Sequence, residues 1–126
     1  MSRLGLVSLI VPDYDPAIAW FDAALGWVVR EDIDQGAKRW VVVGPPGGGT
    51  GIVLARPGDD AQAAAIGAQG AGRVWLFLET WDIDARRAVM EAAGTRFDEP
   101  IRNEPYGRVA VFQNPWGNRW DLIQRS

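Results

Sequence analysis

The chain contains no cysteine and no histidine. Without cysteine there is no disulfide, no thiolate nucleophile and no zinc–thiolate site. Without histidine there is no imidazole to serve as general base, nucleophile or metal ligand. That removes the two-histidine-one-carboxylate iron site and the usual zinc hydrolase sites. Any metal here would have to be a hard cation held by oxygens. Positive charge is scarce as well: 13 Lys and Arg against 16 Asp and Glu give a formal net charge of −3, with a pI near 4.8. A nucleic-acid binder concentrates basic residues on one face, and Lys38-Arg39 and Arg86-Arg87 are too sparse for that. No nucleic-acid partner is expected. Met1 to Gly5 run straight into a strand-like segment, with no apolar leader, cleavage site or membrane-length stretch. The expectation is a soluble, cytoplasmic protein with no membrane partner.

What is present suits one compact domain over residues 1–126, since 48% of the residues are hydrophobic and 23% charged. The chain also repeats itself. Val11-Pro12-Asp13-Tyr14-Asp15 leads a helix-like run closed by Gly26, and Thr80-Trp81-Asp82-Ile83-Asp84 leads another closed by Gly94. The offset is 69 at the aspartates (82−13) and 68 at the glycines (94−26). Two half-size modules, each with a one-sided sheet, must pair to bury their apolar faces.

The first module, about 1–57, reads as β-α-β-β-β. Leu4 to Val11 is an apolar strand stopped by Pro12. Asp15 before Pro16 has the form of an N-cap followed by proline at the first helical position, and Ile18, Phe21 and Leu25 recur at helical spacing up to Gly26. Trp27 to Arg30, Lys38 to Val43 and Gly51 to Ala55 read as strands. A linker over about 58–72 carries at most a short helix near Asp60 to Ile66. The second module, about 73–126, repeats the order. Arg73 to Thr80 is a strand, and Asp84 to Ala93 a helix with Ala88, Val89, Ala92 and Ala93 on one side. Arg96 to Ile101, Arg108 to Phe112 and Asn118 to Ile123 complete it as strands.

The doubled β-α-β-β-β order joins several motifs: Val-Pro-Asp-Tyr-Asp before the first helix, Trp20-Phe21 through Leu25-Gly26-Trp27, and Phe112-Gln113-Asn114-Pro115-Trp116-Gly117-Asn118-Arg119-Trp120-Asp121-Leu122. Together these resemble the glyoxalase/bleomycin-resistance/extradiol-dioxygenase superfamily, also called vicinal oxygen chelate. The resemblance implies an α+β fold, two tandem βαβββ modules forming a cup-like curved mixed sheet with helices outside. It also implies a site inside the cup and a homodimer that in some members exchanges modules. It places the family's four metal-ligand positions, on the first and last strand of each module, at Leu6, Val53, Trp75 and Asp121. Only Asp121 can bind a cation, whereas a divalent ion needs several convergent donors. The expectation is therefore a protein with no metal and no cofactor.

Strand alternation adds Ser8 and Ile10, Phe77 and Glu79, and Arg119 and Ile123 to the same side as those four. This gives an aromatic lining with a few polar groups, suited to a planar or hydrophobic small molecule. Trp75 and Phe77 would be stacking surfaces and Asp121 or Glu79 an orienting or cation-pairing group. Alternatively the two aromatics fill the space as core. Trp120 should face the helix side, and Trp20 and Trp27 should seal helix to sheet.

Tyr106, in the turn Glu104-Pro105-Tyr106-Gly107, is a candidate at the pocket rim, and Trp40 is a candidate whose face the local pattern leaves open. The expected ligand-binding set is thus Ser8, Trp40, Val53, Trp75, Phe77, Tyr106 and Asp121. The loop Gly44 to Gly51 lacks Gly-Lys-Ser/Thr and leads into a strand, so it reads as a hairpin loop, not a phosphate cradle. Asp13, Asp15, Asp82 and Asp84 sit at helix starts, where carboxylates cap free amides and favour the dipole. Three functions remain open: a metal-free binder of an aromatic or drug-like molecule, a metal-independent enzyme using Asp121 or Glu79 as general acid or base, and a dimeric interaction or regulatory module.

Overall fold

The structure, a computed structural model, describes residues 1–126 and divides into two compact units, Met1–Ile66 and Gly67–Ser126. It is an α+β fold with two sheets and few helices. The first unit runs β1 (Leu6–Ile10), α1 (Tyr14–Leu25), β2 (Val28–Asp34), β3 (Arg39–Gly44), β4 (Gly51–Ala55) and α2 (Asp60–Ala64). The second runs β5 (Val74–Glu79), α3 (Ile83–Ala92), β6 (Arg96–Phe97), β7 (Arg102–Glu104), β8 (Gly107–Gln113) and β9 (Arg119–Arg125). No helix is long and apolar enough to cross a membrane.

In the first unit the sheet order is β1-β4-β3-β2, with β1 parallel to β4 and the other pairs antiparallel. Alternation along the strands sends Leu9, Val41, Ile52 and Leu54 to the α1 side, where all four are buried. There they meet Ala17, Phe21, Ala24 and Leu25 of α1. Phe21 lies edge-on to its helix neighbour Trp20 at 4.9 Å and stacks on Trp27, the residue before β2, at 5.4 Å, so Trp27 ties α1 to the start of β2. The cap differs from the sequence expectation. Asp13, not Asp15, is the N-cap, with its carboxylate accepting from Tyr14 N at 2.8 Å. Pro16 then falls inside the first turn, where its missing N–H is no loss. The start two residues earlier accompanies the burial of Tyr14, whose ring lies under the Arg39 and Arg56 guanidinium groups at 5.1 and 5.2 Å. Gly26 closes α1 in the left-handed conformation at φ 66°.

Strand β2 continues past Arg30 to Asp34 and is exposed along most of its length. The sequence pattern ends this strand at Arg30; the charges beyond it suit an edge strand, where they discourage pairing with another chain. Gly44 to Gly51 is a hairpin loop between β3 and β4, held by Arg30, which donates to Gly49 O at 2.7 Å and Pro45 O at 3.0 Å.

In the second unit the order is β5-β9-β8-β6, with β7 also pairing β8. β5 and β9 are parallel, as β1 and β4 are. Trp120, Leu122 and Phe112 face the α3 side, and Trp120 stacks on Phe112 at 5.5 Å. Two expectations fail here. First, Arg96 to Ile101 is not one strand: pairing with β8 stops at Phe97 and resumes at Arg102. Pro100 lies in the gap and has no N–H to donate. The Glu99 carboxylate accepts from Val111 N at 3.0 Å in place of a ladder bond. Second, α3 buries Ile83 and Met90, while Ala88, Val89 and Ala92 are exposed. Capping at Asp82, which accepts from Ala85 N at 3.1 Å, sets that phase. The Gln124 amide oxygen accepting from Ile83 N at 2.9 Å ties the helix start to β9.

Candidate functional site

The end of β8 and the start of β9 fix the position of every side chain that follows. Asn114 and Asn118 are buried, at 3% and 2% exposure, and clasp the turn between the strands. Asn114 Oδ1 accepts from Asn118 N at 3.0 Å and from Trp116 N at 3.2 Å, while Asn114 Nδ2 donates to Asn118 Oδ1 at 3.0 Å. The Asn-Pro-Trp-Gly-Asn segment is therefore a structural clasp. Its two buried asparagines bond to each other, and Asn114 satisfies backbone N–H groups of the turn. With the register so set, Trp120, Leu122 and Gln124 turn to α3, and Arg119, Asp121, Ile123 and Arg125 to the opposite face.

On that opposite face β5 places Phe77 beside Asp121 and Glu79 beside Ile123. Trp75 lies where the pairing shifts register, between Val74 and Leu76. Trp75 is half-buried, whereas Phe77 is 62% exposed, an unusual state for a phenylalanine in a strand. Asp121 is only 6% exposed, and its Oδ1 is buried with no hydrogen-bond partner. Burial pushes the Asp121 carboxyl above the ordinary carboxylate range. Arg102 and Arg119 pull the other way, and Glu99 adds to the rise.

Arg102 is the residue that sequence reasoning missed. It sits opposite Val109 on the strand pair next to β9 and forms ion pairs with Glu99 and, at 3.0 Å, with Glu104. Burial works to lower its pKa, but Glu104, Glu99, Tyr106 and Asp121 together raise it, so the guanidinium stays charged. Tyr106, 42% exposed in the β7–β8 turn, thus belongs to this charged group. Gly107 follows with φ 148°, where a Cβ would come within 2.2 Å of Gln124 O. Only glycine allows β8 to start this close to β9. A signal for Arg102 was available: Arg102 and Glu104 are two residues apart, the spacing that puts both on one strand face.

Of the other expected residues, Ser8 and Val53 are register partners, and Val53 also pairs with Val42, two residues along β3 from Trp40. Ser8, Trp40, Val53 and Leu6 therefore share the face of the first sheet opposite α1. The open question about Trp40 is answered: its indole N–H donates to Glu31 at 3.2 Å. Glu79 is exposed and ion-paired with Arg125 at 2.8 Å, a poor setting for a tuned acid or base. No group of three or more His, Cys, Asp or Glu side chains converges on a common point.

The family model described as "Glyoxalase/Bleomycin resistance protein/Dioxygenase superfamily" matches residues 3–122. An uncharacterized protein of Shewanella frigidimarina (strain NCIMB 400) is 43% identical over 121 residues, spanning 94% of this chain and 90% of its own. Among solved structures, UcmS2 is similar with a TM-score of 0.83 and 29% identity, covering 98% of both chains. TnmS3, an antibiotic binding protein from Streptomyces sp. CB03234, is similar with a TM-score of 0.72 and 30% identity, covering 100% of this chain and 98% of its own.

Proposed function

Because the chain belongs to the glyoxalase/bleomycin resistance protein/dioxygenase superfamily, we propose that it is a small-molecule binding protein whose ligand is a planar aromatic compound. The ligand rests on the face of the second sheet opposite α3. The observation that carries this reading is the pairing of exposed Phe77 with the buried carboxylate of Asp121, whose Oδ1 has no hydrogen-bond partner, on neighbouring strands. An exposed ring offers a stacking surface, and a desolvated carboxylate beside it discriminates among polar substituents. Trp75 extends the surface, and Arg102 and Tyr106 bound it. The similarity to an antibiotic binding protein supports a drug-like ligand.

The metal-dependent reactions of the superfamily do not suit these residues. Leu6, Val53 and Trp75 offer no ligand atom for a divalent cation, and the nearby Glu99 carboxylate is occupied by Arg102 and Val111 N. Elemental analysis of desalted protein should find no stoichiometric transition metal. We further propose a cytoplasmic homodimer; light scattering across micromolar concentrations checks the dimer, and a monomer mass counts against it.

A thermal-shift screen against aromatic antibiotics and planar aromatic metabolites tests the main reading. A raised melting temperature with quenched tryptophan fluorescence is expected; a silent panel removes the binding role. One observation keeps a second reading in view. The raised pKa of Asp121 is what a general acid needs, so turnover of a bound compound, lost in Asp121→Asn, would make the protein a metal-independent enzyme.

A further inference from the structure

Resting on that binding role, we propose that the binding strip continues along β5 to Trp81, and that its far end takes a neutral, planar carboxamide. Phe77 and Glu79 share one face of β5, and Trp81 follows Glu79 by two residues, just past the end of the strand, about 13 Å along the chain from Phe77. At the ends of β5 and β9, where the two faces of the second sheet meet, lies a cavity of about 510 Å³ lined by Glu79, Thr80, Trp81, Gln124 and Arg125, a size suited to a small-molecule site. Trp81 is 99% exposed. A fully solvated indole directly before a helix cap contributes nothing to the core, so its use lies outside the folded chain.

The polar groups of the cavity select the head group. Arg125 Nε donates to Glu79 Oε1 at 2.8 Å. That bond leaves the rest of the guanidinium and Glu79 Oε2 without a protein partner, side by side and opposite in charge. A carboxylate gains from Arg125 but is opposed by Glu79, and an ammonium group meets the reverse conflict. A carboxamide satisfies both: its C=O accepts from the Arg125 guanidinium and its N–H donates to Glu79. Its plane lies flat on the Trp81 indole.

Four probes separate the possibilities in calorimetric titrations of the full chain: naphthalene, naphthamide, naphthoate and naphthylmethylamine. Naphthamide should bind about fivefold or more tighter than either charged analogue, and Trp81→Ala should weaken it about tenfold while leaving naphthalene binding unchanged. Glu79→Gln should move the preference towards naphthoate, and Arg125→Gln towards the amine. Circular dichroism and melting curves confirm that these exposed variants fold. If all three head groups bind alike and Trp81→Ala changes nothing, the cavity is not a head-group site, although naphthalene binding weakened by Trp75→Ala would leave the general role standing. If naphthamide depends on Trp81 while Trp75→Ala and Phe77→Ala are silent, the cavity stands and the wider binding face falls. Failure of every probe to bind overturns both.

Discussion

The two units follow one plan and are used differently. Each places a parallel strand pair in its sheet, caps a helix with aspartate, Asp13 or Asp82, and packs that helix on one sheet face. The first unit invests in packing: α1 buries six of its twelve residues, whereas α3 buries two of its ten. On the faces away from the helices the contrast reverses. Leu6, Ser8, Trp40, Val42 and Val53 make the first face mostly apolar, with Glu31 at its edge. The second carries Trp75, Phe77, Asp121, Arg102, Glu99 and Glu104. Duplication supplied the same scaffold twice, and the chemistry collected on the copy whose helix is less firmly anchored.

The largest expected effect tests the packing half of that contrast. Phe21 is fully buried between Trp20 and Trp27, so Phe21→Ala should cost about 3–5 kcal/mol of stability in denaturant titrations. Met90→Ala should cost less, about 2 kcal/mol, because fewer neighbours surround α3. A larger loss at Met90 than at Phe21 would remove the distinction between the helices.

The next effect lies on the second face. Trp75→Ala should weaken an aromatic ligand by about 1–3 kcal/mol in titration calorimetry with little change in melting temperature. If the variant instead unfolds and no compound binds the parent protein, the aromatics are core.

The smallest effect concerns charge. The folded Asp121 carboxyl has a raised pKa, chiefly through burial. Its contribution to stability is therefore full below the ordinary carboxylate range and is lost as pH rises through the folded value. Asp121→Asn should raise the melting temperature at about pH 7, and the gain should vanish as pH falls towards about 3. A pH-independent change would mean that the carboxyl is not desolvated.

The sequence disclosed the scaffold more readily than the site, for reasons that differ residue by residue. Gly26, the aspartates at helix starts and the Asn114 to Asn118 clasp act through neighbours close in the chain, so their spacing is readable. The face of Trp40 was not readable, because Val41, Val42 and Val43 are all buried and the strand shows no alternation. Alanine misled in α3: Ala88 and Ala92 stabilise an exposed helix without joining a core. The Arg102–Glu104 spacing was readable, but Pro100 breaks the strand before it, and the second partner, Glu99, comes from a bend that no periodicity predicts. Trp81 looked like part of a helix cap, and only its exposure sets it apart.

The central claim is that ligand discrimination resides on the second unit's face. Calorimetric titration of Phe77→Ala and Trp40→Ala, each against the panel compound that most raises the melting temperature of the parent protein, tests it directly. The account predicts a loss of about tenfold in Phe77→Ala and little change in Trp40→Ala. An equal loss in both, or a loss confined to Trp40→Ala, would contradict it.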